Sequence, residues 1–140
     1  MPKLLIFAPC EKVIIDQENN PSLISVLQGL TSTLPKDAKV PQDALAVIRW
    51  TIFTLWNREE ADEGKEFTQD CVLLSPDGKP TINVSMPFRF TGSTQRNIMQ
   101  LYGFPIAPGE YLLKLRLSEG DGERREIATY PLIFTHQEQT

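Results

Sequence analysis

Alternation of apolar and polar residues is clearest near the end of the chain. Between Tyr111 and Ser118 apolar residues fill every second position, and Lys114 and Arg116 lie between them. A period of two predicts a half-buried β-strand. Residues 120–122 contain two glycines and lead into a second apolar run at 126–134. This end of the chain therefore predicts an antiparallel hairpin whose core face carries Tyr111, Leu113, Leu115 and Leu117.

The spacing of apolar runs predicts about eight strands along the whole chain. Residues 97–104 fit both a helical and a strand period, and the flanking Gly103 and Pro105 favour a strand. The polar, proline-containing segment 34–43 predicts a connection between two sheets. The predicted strands are residues 4–15, 22–30, 44–56, 67–74, 81–91, 97–104, 111–118 and 126–134. Together they indicate an all-β fold, an antiparallel β-sandwich built as one domain over residues 1–140.

Turn and proline positions refine this assignment. In the segment 75–79, proline at the second turn position is followed by Asp-Gly, which predicts a tight turn between strands 67–74 and 81–91. Pro87 and Pro131 lie inside predicted strands and cannot donate a ladder hydrogen bond. Each therefore predicts an edge position or a bulge.

Composition narrows the function classes. A net charge of −4 argues against a nucleic-acid partner, which requires clustered Lys and Arg. No run approaches the roughly 18 apolar residues of a membrane span, so we expect no membrane partner. The apolar run at residues 4–8 is too short for a signal peptide, and we expect a cytoplasmic protein. Cys10 and Cys71 are then expected to be free, buried thiols rather than a disulfide.

Catalytic chemistry finds little support. His136 is the only histidine and follows the last predicted strand, so we expect it to be a solvated tail residue. One histidine and two distant cysteines do not form a zinc set, and no Gly-rich loop is spaced to hold phosphates. We therefore expect no enzymatic activity and no cofactor or metal.

Carboxylates are concentrated just after residue 56. Because Ca²⁺ binds several oxygen ligands, this loop suggests a calcium- or small-ligand-binding site at one end of the sandwich. Arg58 and Lys65 neutralise part of the cluster, and its order is not that of an EF-hand, which favours a solvated loop. The carboxylates are Glu59, Glu60, Asp62, Glu63 and Glu66.

Three segments carry a resemblance to known proteins. The run 103–113, with Pro-Gly-Glu-Tyr at 108–111, resembles the E–F corner of immunoglobulin-like sandwiches, where the tyrosine folds back on the corner. The segments 7–16 and 23–30 resemble an uncharacterised family of small bacterial proteins of this shape. The resemblance implies an immunoglobulin-like sandwich with Trp50 as the core tryptophan and no assigned activity. The Cys…Trp…Cys spacing of antibody domains is absent.

The immunoglobulin-like arrangement also predicts an interaction surface. It places strands 44–56, 111–118 and 126–134 side by side in one sheet. If Trp50 and Tyr111 face the core, the outer face mixes apolar with basic side chains, as protein interfaces do. The candidate residues are Arg49, Phe53, Leu55, Leu112, Lys114, Arg116 and Ile127. Two alternatives remain: a loop covers part of this face, or the register is shifted by one residue.

These patterns favour a non-catalytic protein-interaction module that acts as a homodimer or as an accessory subunit. The alternative is a calcium- or small-ligand-binding sandwich that uses its end loops. A substitution separates an exposed interface from a buried position: Phe53→Glu is expected to dissociate a complex if Phe53 is exposed, and to unfold the protein if Phe53 is core.

Overall fold

The computed structural model describes residues 1–34 and 44–138, which form two packed β-sheets and a single turn of 3₁₀ helix at Glu60–Asp62. The predicted all-β sandwich is confirmed. The predicted strand 22–30 is divided into two, β2 and β3. The strands are β1 Lys3–Ile15, β2 Pro21–Val26, β3 Gly29–Leu34, β4 Leu45–Asn57, β5 Glu66–Leu74, β6 Pro80–Arg89, β7 Thr94–Pro105, β8 Gly109–Glu119 and β9 Arg125–Glu138.

Strand order defines a first sheet, β2-β1-β4-β7, and a second sheet, β3-β9-β8-β5-β6. Neighbouring strands are antiparallel, except that β3 runs parallel to β9. Of the segment predicted to connect the sheets, residues 34–43, only Leu34 is among the described residues, as the last residue of β3. The chain therefore crosses between the sheets at both ends of β3, and the crossing before β3 was not predicted from the alternation pattern.

The core lies between the two sheets and follows the predicted alternation. From the second sheet, β8 contributes Tyr111, Leu113, Leu115 and Leu117, all buried as predicted. From the first sheet, β4 contributes Trp50, Ile52 and Trp56. Burying side chains of this size contributes about 1.5–3 kcal/mol each relative to exposing them.

The structure contains the turn predicted at residues 75–79 and places Pro87 and Pro131 where no ladder hydrogen bond is needed. Ser75 N–H donates to Lys79 O at 2.8 Å in the β5–β6 turn, and Gly78 has a φ of +84° that glycine adopts without strain. Pro87 lies on β6, an edge strand. Pro131 lies on β9 just before β3 begins to pair, at Ile133, so it occupies a locally unpaired side of that strand.

The corner before β8 has the geometry expected from the 103–113 run. The Tyr111 hydroxyl donates to Ala107 O at 2.7 Å, which ties the strand start to the preceding loop. Gly109 has a φ of +142°, and a Cβ there would lie 2.5 Å from Pro76 Cγ. Only glycine fits, because any side chain would collide with the β5–β6 turn.

The β1–β2 hairpin covers the outer face of the first sheet. β1 pairs with β4 only as far as Cys10, and from there to Ile15 it pairs with β2 alone. Asn19, at the hairpin tip, accepts a 2.7 Å hydrogen bond from Arg96 on β7 through its backbone oxygen. Arg96 is aligned with Leu55 on β4, several residues back along the sheet from Cys10. The hairpin therefore turns back and crosses the sheet from β1 to β7.

Candidate functional site

The predicted interaction surface is divided between the two sheets, so that prediction was wrong as a single face. β4 belongs to the first sheet, whereas β8 and β9 belong to the second. The segment 22–30 forms two strands that belong to different sheets, and β4 pairs with β1 instead of lying in the sheet that contains β8. Arg49, Phe53 and Leu55 therefore lie on one side of the molecule, and Leu112, Lys114, Arg116 and Ile127 on the other.

Phe53 is not exposed. It points away from the inter-sheet core, as predicted, but its side chain is 0% exposed beneath the β1–β2 hairpin. The alternative of a covered face is the one found here. Leu55 beside it is half-buried, and Arg49 is exposed with its guanidinium carbon 5.4 Å from the centre of the Tyr102 ring.

Ile127 also differs from the prediction, because a bulge shifts the pairing of β8 with β9. Leu115 is paired with Ala128, but the next residue, Arg116, is paired with Glu126. Ile127 is the extra residue of the bulge, and it packs against the core instead of facing outward.

The remaining candidates lie on the outer face of the second sheet. Leu112 is aligned with Leu74 on one side and Pro131 on the other, forming an apolar row across three strands. Lys114 is half-buried beside Val72 in the next row, and Ile133 is 53% exposed. We call this surface the open face; it comprises Leu74, Leu112, Lys114, Pro131 and Ile133, and Val72 beside them is buried at 5% exposure. The alternation of β5 contained the signal for Val72 and Leu74, which alternate with the inward residues of that strand.

A buried carboxylate borders the open face. Asp70 is 1% exposed and accepts hydrogen bonds from Arg116 Nε at 2.7 Å and from Ser85 Oγ at 2.8 Å. The Arg124 guanidinium lies 3.7 Å from Asp70 Oδ1, the oxygen that accepts from Ser85. A buried charge requires such compensation. Arg116 therefore compensates the charge of Asp70, whereas Lys114 lies 3.8 Å from the Glu126 carboxylate in a longer ion pair at the surface.

A polar network that the sequence analysis missed lies inside the core. Gln69 on β5 is fully buried, and its Oε1 accepts hydrogen bonds from Trp56 Nε1 at 2.9 Å, Asn97 Nδ2 at 3.1 Å and the Thr54 hydroxyl. Its amide nitrogen lies 3.0 Å from Met99 Sδ. Because the donors come from β4 and β7 and the acceptor from β5, the network joins the two sheets and serves the fold.

Both cysteines are free and buried, as predicted. Burial, with a smaller contribution from the neighbouring Asp70 charge, raises the pKa of the Cys71 thiol to about 12. Burial also raises the pKa of Cys10. A thiol that stays protonated is a poor nucleophile and a poor metal ligand.

Asp62 and Glu66 of the acidic loop pair with groups of the chain itself. Asp62 is buried, accepts the Glu59 N–H at 3.0 Å and lies 3.3 Å from the Met1 amino group. Glu66 pairs with Arg89 at 3.0 Å. Over residues 1–34 and 44–138, no group of three or more His, Cys, Asp or Glu side chains is placed to hold a metal ion.

His136 is held more firmly than predicted. It lies within β9, not after it; its ring packs edge-on against Phe134 with centroids 5.6 Å apart, and its Nε2 contacts Ile106 O. The predicted solvated tail was therefore wrong, because β9 continues past the last strongly apolar residue by pairing with β3.

A cavity of about 790 Å³ opens at one end of the sandwich. The β5–β6 turn, the β7–β8 loop and the start of β4 form its walls. Its lining is largely apolar, and Lys79 and Asp77 at the rim pair with each other at 3.8 Å. The apolar lining residues are Leu45, Pro76, Pro80, Pro105, Ala107 and Pro108, with the Tyr111 ring beside them.

These features define an all-β sandwich with one self-covered outer face, one open outer face and an end cavity. No protein-family model and no curated protein sequence matches the chain. Among solved structures the chain is similar to the CooA pilin subunit from enterotoxigenic Escherichia coli, with 12% identity and a TM-score of 0.37 over 93% of this chain and 99% of that one. A TM-score this low indicates no relationship in function between the two proteins. None of the helical structure described is long and apolar enough to cross a membrane.

Proposed function

We propose that the protein is a non-catalytic interaction module that binds a protein partner through the open face, as a homodimer or as an accessory subunit. Two free, buried thiols support a reducing compartment, so a cytoplasmic location is part of the proposal. The proposal includes neither nucleic acid nor membrane as a partner.

The contrast between the two outer faces carries this proposal. On the first sheet, the chain covers its own apolar residues with the β1–β2 hairpin, and Phe53 is fully buried. On the second sheet, the apolar row formed by Leu74, Leu112 and Pro131 stays at the surface beside Lys114 and the exposed Ile133. An apolar patch with a polar rim is typical of surfaces that bind proteins.

An immunoglobulin-like arrangement is the finer part of the proposal. It is supported by the strand order β9-β8-β5-β6, which matches a G-F-C-C′ sheet, and by the Tyr111–Ala107 hydrogen bond at the corner before β8. The uncharacterised bacterial family that the sequence resembles would then share this arrangement. Fold alone assigns no partner, so the interaction proposal depends on the surface.

Charge reversal at two lysines tests the open face. Lys114→Glu alters that face, whereas Lys12→Glu makes the same change on the exposed distal half of β1. We expect the tagged Lys12→Glu protein to retain the partner, or the second copy, that the unaltered protein binds, and Lys114→Glu to lose it while remaining folded. Equal binding by both variants, or loss through Lys12→Glu alone, would contradict the proposal.

The end cavity favours a second candidate function, binding of a small apolar ligand between the end loops. Ligand sites are commonly concave, mostly apolar and of roughly 300–1,000 Å³, and this cavity falls in that range. Ligand binding at 100 times the Kd stabilises a fold by about 2.7 kcal/mol. A thermal-shift screen of small apolar compounds should therefore raise the Tm, and Ala107→Trp, which fills the cavity, should abolish the shift. No shift across the screen would contradict this candidate.

A further inference from the structure

We infer that the edge of β7 pairs with β7 of a second copy of this chain, extending the first sheet across a two-fold axis. This inference concerns a strand edge and is independent of the open face. Within the part of the chain that the structure describes, β7 has a strand neighbour on one side only, β4.

The other three edges are poor templates for strand addition. β2 and β3 are six residues each, and β6 contains Pro80 and Pro87. Short edge strands and prolines are the usual protection of sheet edges against pairing with other chains. β7 is twelve residues long, has no proline before its last residue, Pro105, and carries only one charged side chain, Arg96. It is the long edge that lacks this protection.

The hydrogen-bonding phase of β7 identifies the free backbone groups. Arg58 N–H donates to Ser93 O at 2.8 Å, in line with the β4–β7 register that aligns Asn57 with Thr94. Hydrogen-bonded pairs alternate along an antiparallel ladder, so odd-numbered residues of β7 bond to β4. Even-numbered residues turn their N–H and C=O groups to the open edge; these are Arg96, Ile98, Gln100 and Tyr102. Of these groups, the Arg96 carbonyl already accepts a 3.3 Å hydrogen bond from the Gln95 side-chain amide, which a second copy would replace.

A second copy fits this edge because the segment is self-complementary. With the two-fold axis at Met99, Ile98 faces Gln100 of the other copy and Arg96 faces Tyr102. The four pairs would form about eight backbone hydrogen bonds. Tyr102, which is 69% exposed, already has the Arg49 guanidinium over its ring, and the Arg96 guanidinium is held by Asn19, so the pairing depends on the backbone hydrogen bonds. Gly103, with a φ of +96°, bends the strand and ends the matching segment.

One backbone substitution tests the edge with little change in side-chain chemistry. Gln100→Pro removes an N–H that faces the edge and none that bonds to β4, whereas Gln100→Ala truncates the same side chain and keeps the N–H. We expect light scattering after size exclusion, from about 1 µM to about 1 mM protein, to show a concentration-dependent dimer for the unaltered protein and for Gln100→Ala. Gln100→Pro should stay at the monomer mass.

Three outcomes would overturn the inference: a strict monomer across the series, a Gln100→Pro dimer, or a dimer that Lys114→Glu dissolves and Gln100→Pro does not. The last result would assign self-association to the open face instead. If Gln100→Pro fails to fold, hydrogen exchange of the backbone amides in the unaltered protein tests the same edge without a substitution. Exchange at Ile98 and Gln100 should slow with rising concentration, while Met99, bonded to β4, stays protected throughout; equal exchange at all concentrations contradicts the inference.

Discussion

At the residue scale, Gln69 shows how a polar side chain can stabilise the inside of a sandwich. One carbonyl oxygen satisfies three donors from two strands of the opposite sheet. The alternation Phe67, Gln69, Cys71, Leu73 already indicated that Gln69 faces inward. Its partners could not be predicted, because Thr54, Trp56 and Asn97 meet it only once the two sheets are packed.

Replacing Gln69 with leucine should destabilise the protein by about 2–4 kcal/mol, because the Trp56 indole N–H and the Asn97 amide would stay buried without an acceptor. Urea unfolding followed by tryptophan fluorescence measures the change. Gln28→Leu, at an exposed position, is the matched control and should alter stability by less than about 0.5 kcal/mol. Equal effects of the two substitutions would show that the buried network contributes nothing specific.

The two thiols lead to a prediction about reactivity and pH. Because burial holds the pKa of Cys71 at about 12, neither it nor the buried Cys10 should react with a thiol reagent at pH 8 until the protein unfolds. The raised pKa favours the fold fully below the ordinary thiol value of 9.0, and this contribution is lost as pH rises towards 12. Stability should therefore fall between about pH 9 and 12, and less steeply in Cys71→Ala. Rapid labelling of either thiol in the native protein at pH 8 would contradict the prediction that both thiols are unreactive before unfolding.

At the element scale, the strands were predictable but their assignment to sheets was not. Alternation depends on each strand's own two faces, and so residues 4–15, 67–74 and 111–118 match β1, β5 and β8 closely. Sheet membership depends on which strands pair at long range. The segment predicted as one strand forms β2 and β3, which belong to different sheets, and β4 lies in the first sheet. The predicted interaction surface is therefore divided between the two sheets.

The β1–β2 hairpin makes Phe53 a buried residue on an outer sheet face. Phe53→Glu should therefore place an uncompensated carboxylate beneath the hairpin and destabilise the protein by more than about 4 kcal/mol, or unfold it. Ile133→Glu introduces the same charge at an exposed position and should leave the unfolding midpoint nearly unchanged. Circular dichroism during urea titration measures both. A Phe53→Glu protein as stable as Ile133→Glu would show that the hairpin does not cover this face.

At the scale of the whole molecule, the two outer faces differ in what covers them. A hairpin from the chain's own N-terminal part occupies the first, whereas the second leaves Leu112, Lys114 and Ile133 at the surface. Alternation and the immunoglobulin-like strand arrangement predicted a surface mixing apolar and basic residues, and Leu112 and Lys114 from that prediction lie together. The rest of the surface could not be predicted, because the bulge at Ile127 and the neighbours on β5 depend on strand pairing.

The central claim is that a protein partner binds the open face. Site-specific photo-cross-linking in the cells that naturally make the protein tests this binding most directly. A benzophenone amino acid replaces Leu112 in one variant and, as a control, Lys12 in another. Binding through the open face predicts a defined protein adduct, to a partner or to a second copy, from position 112 and none from position 12. Absence of an adduct at 112, or the same adduct from both positions, would contradict it.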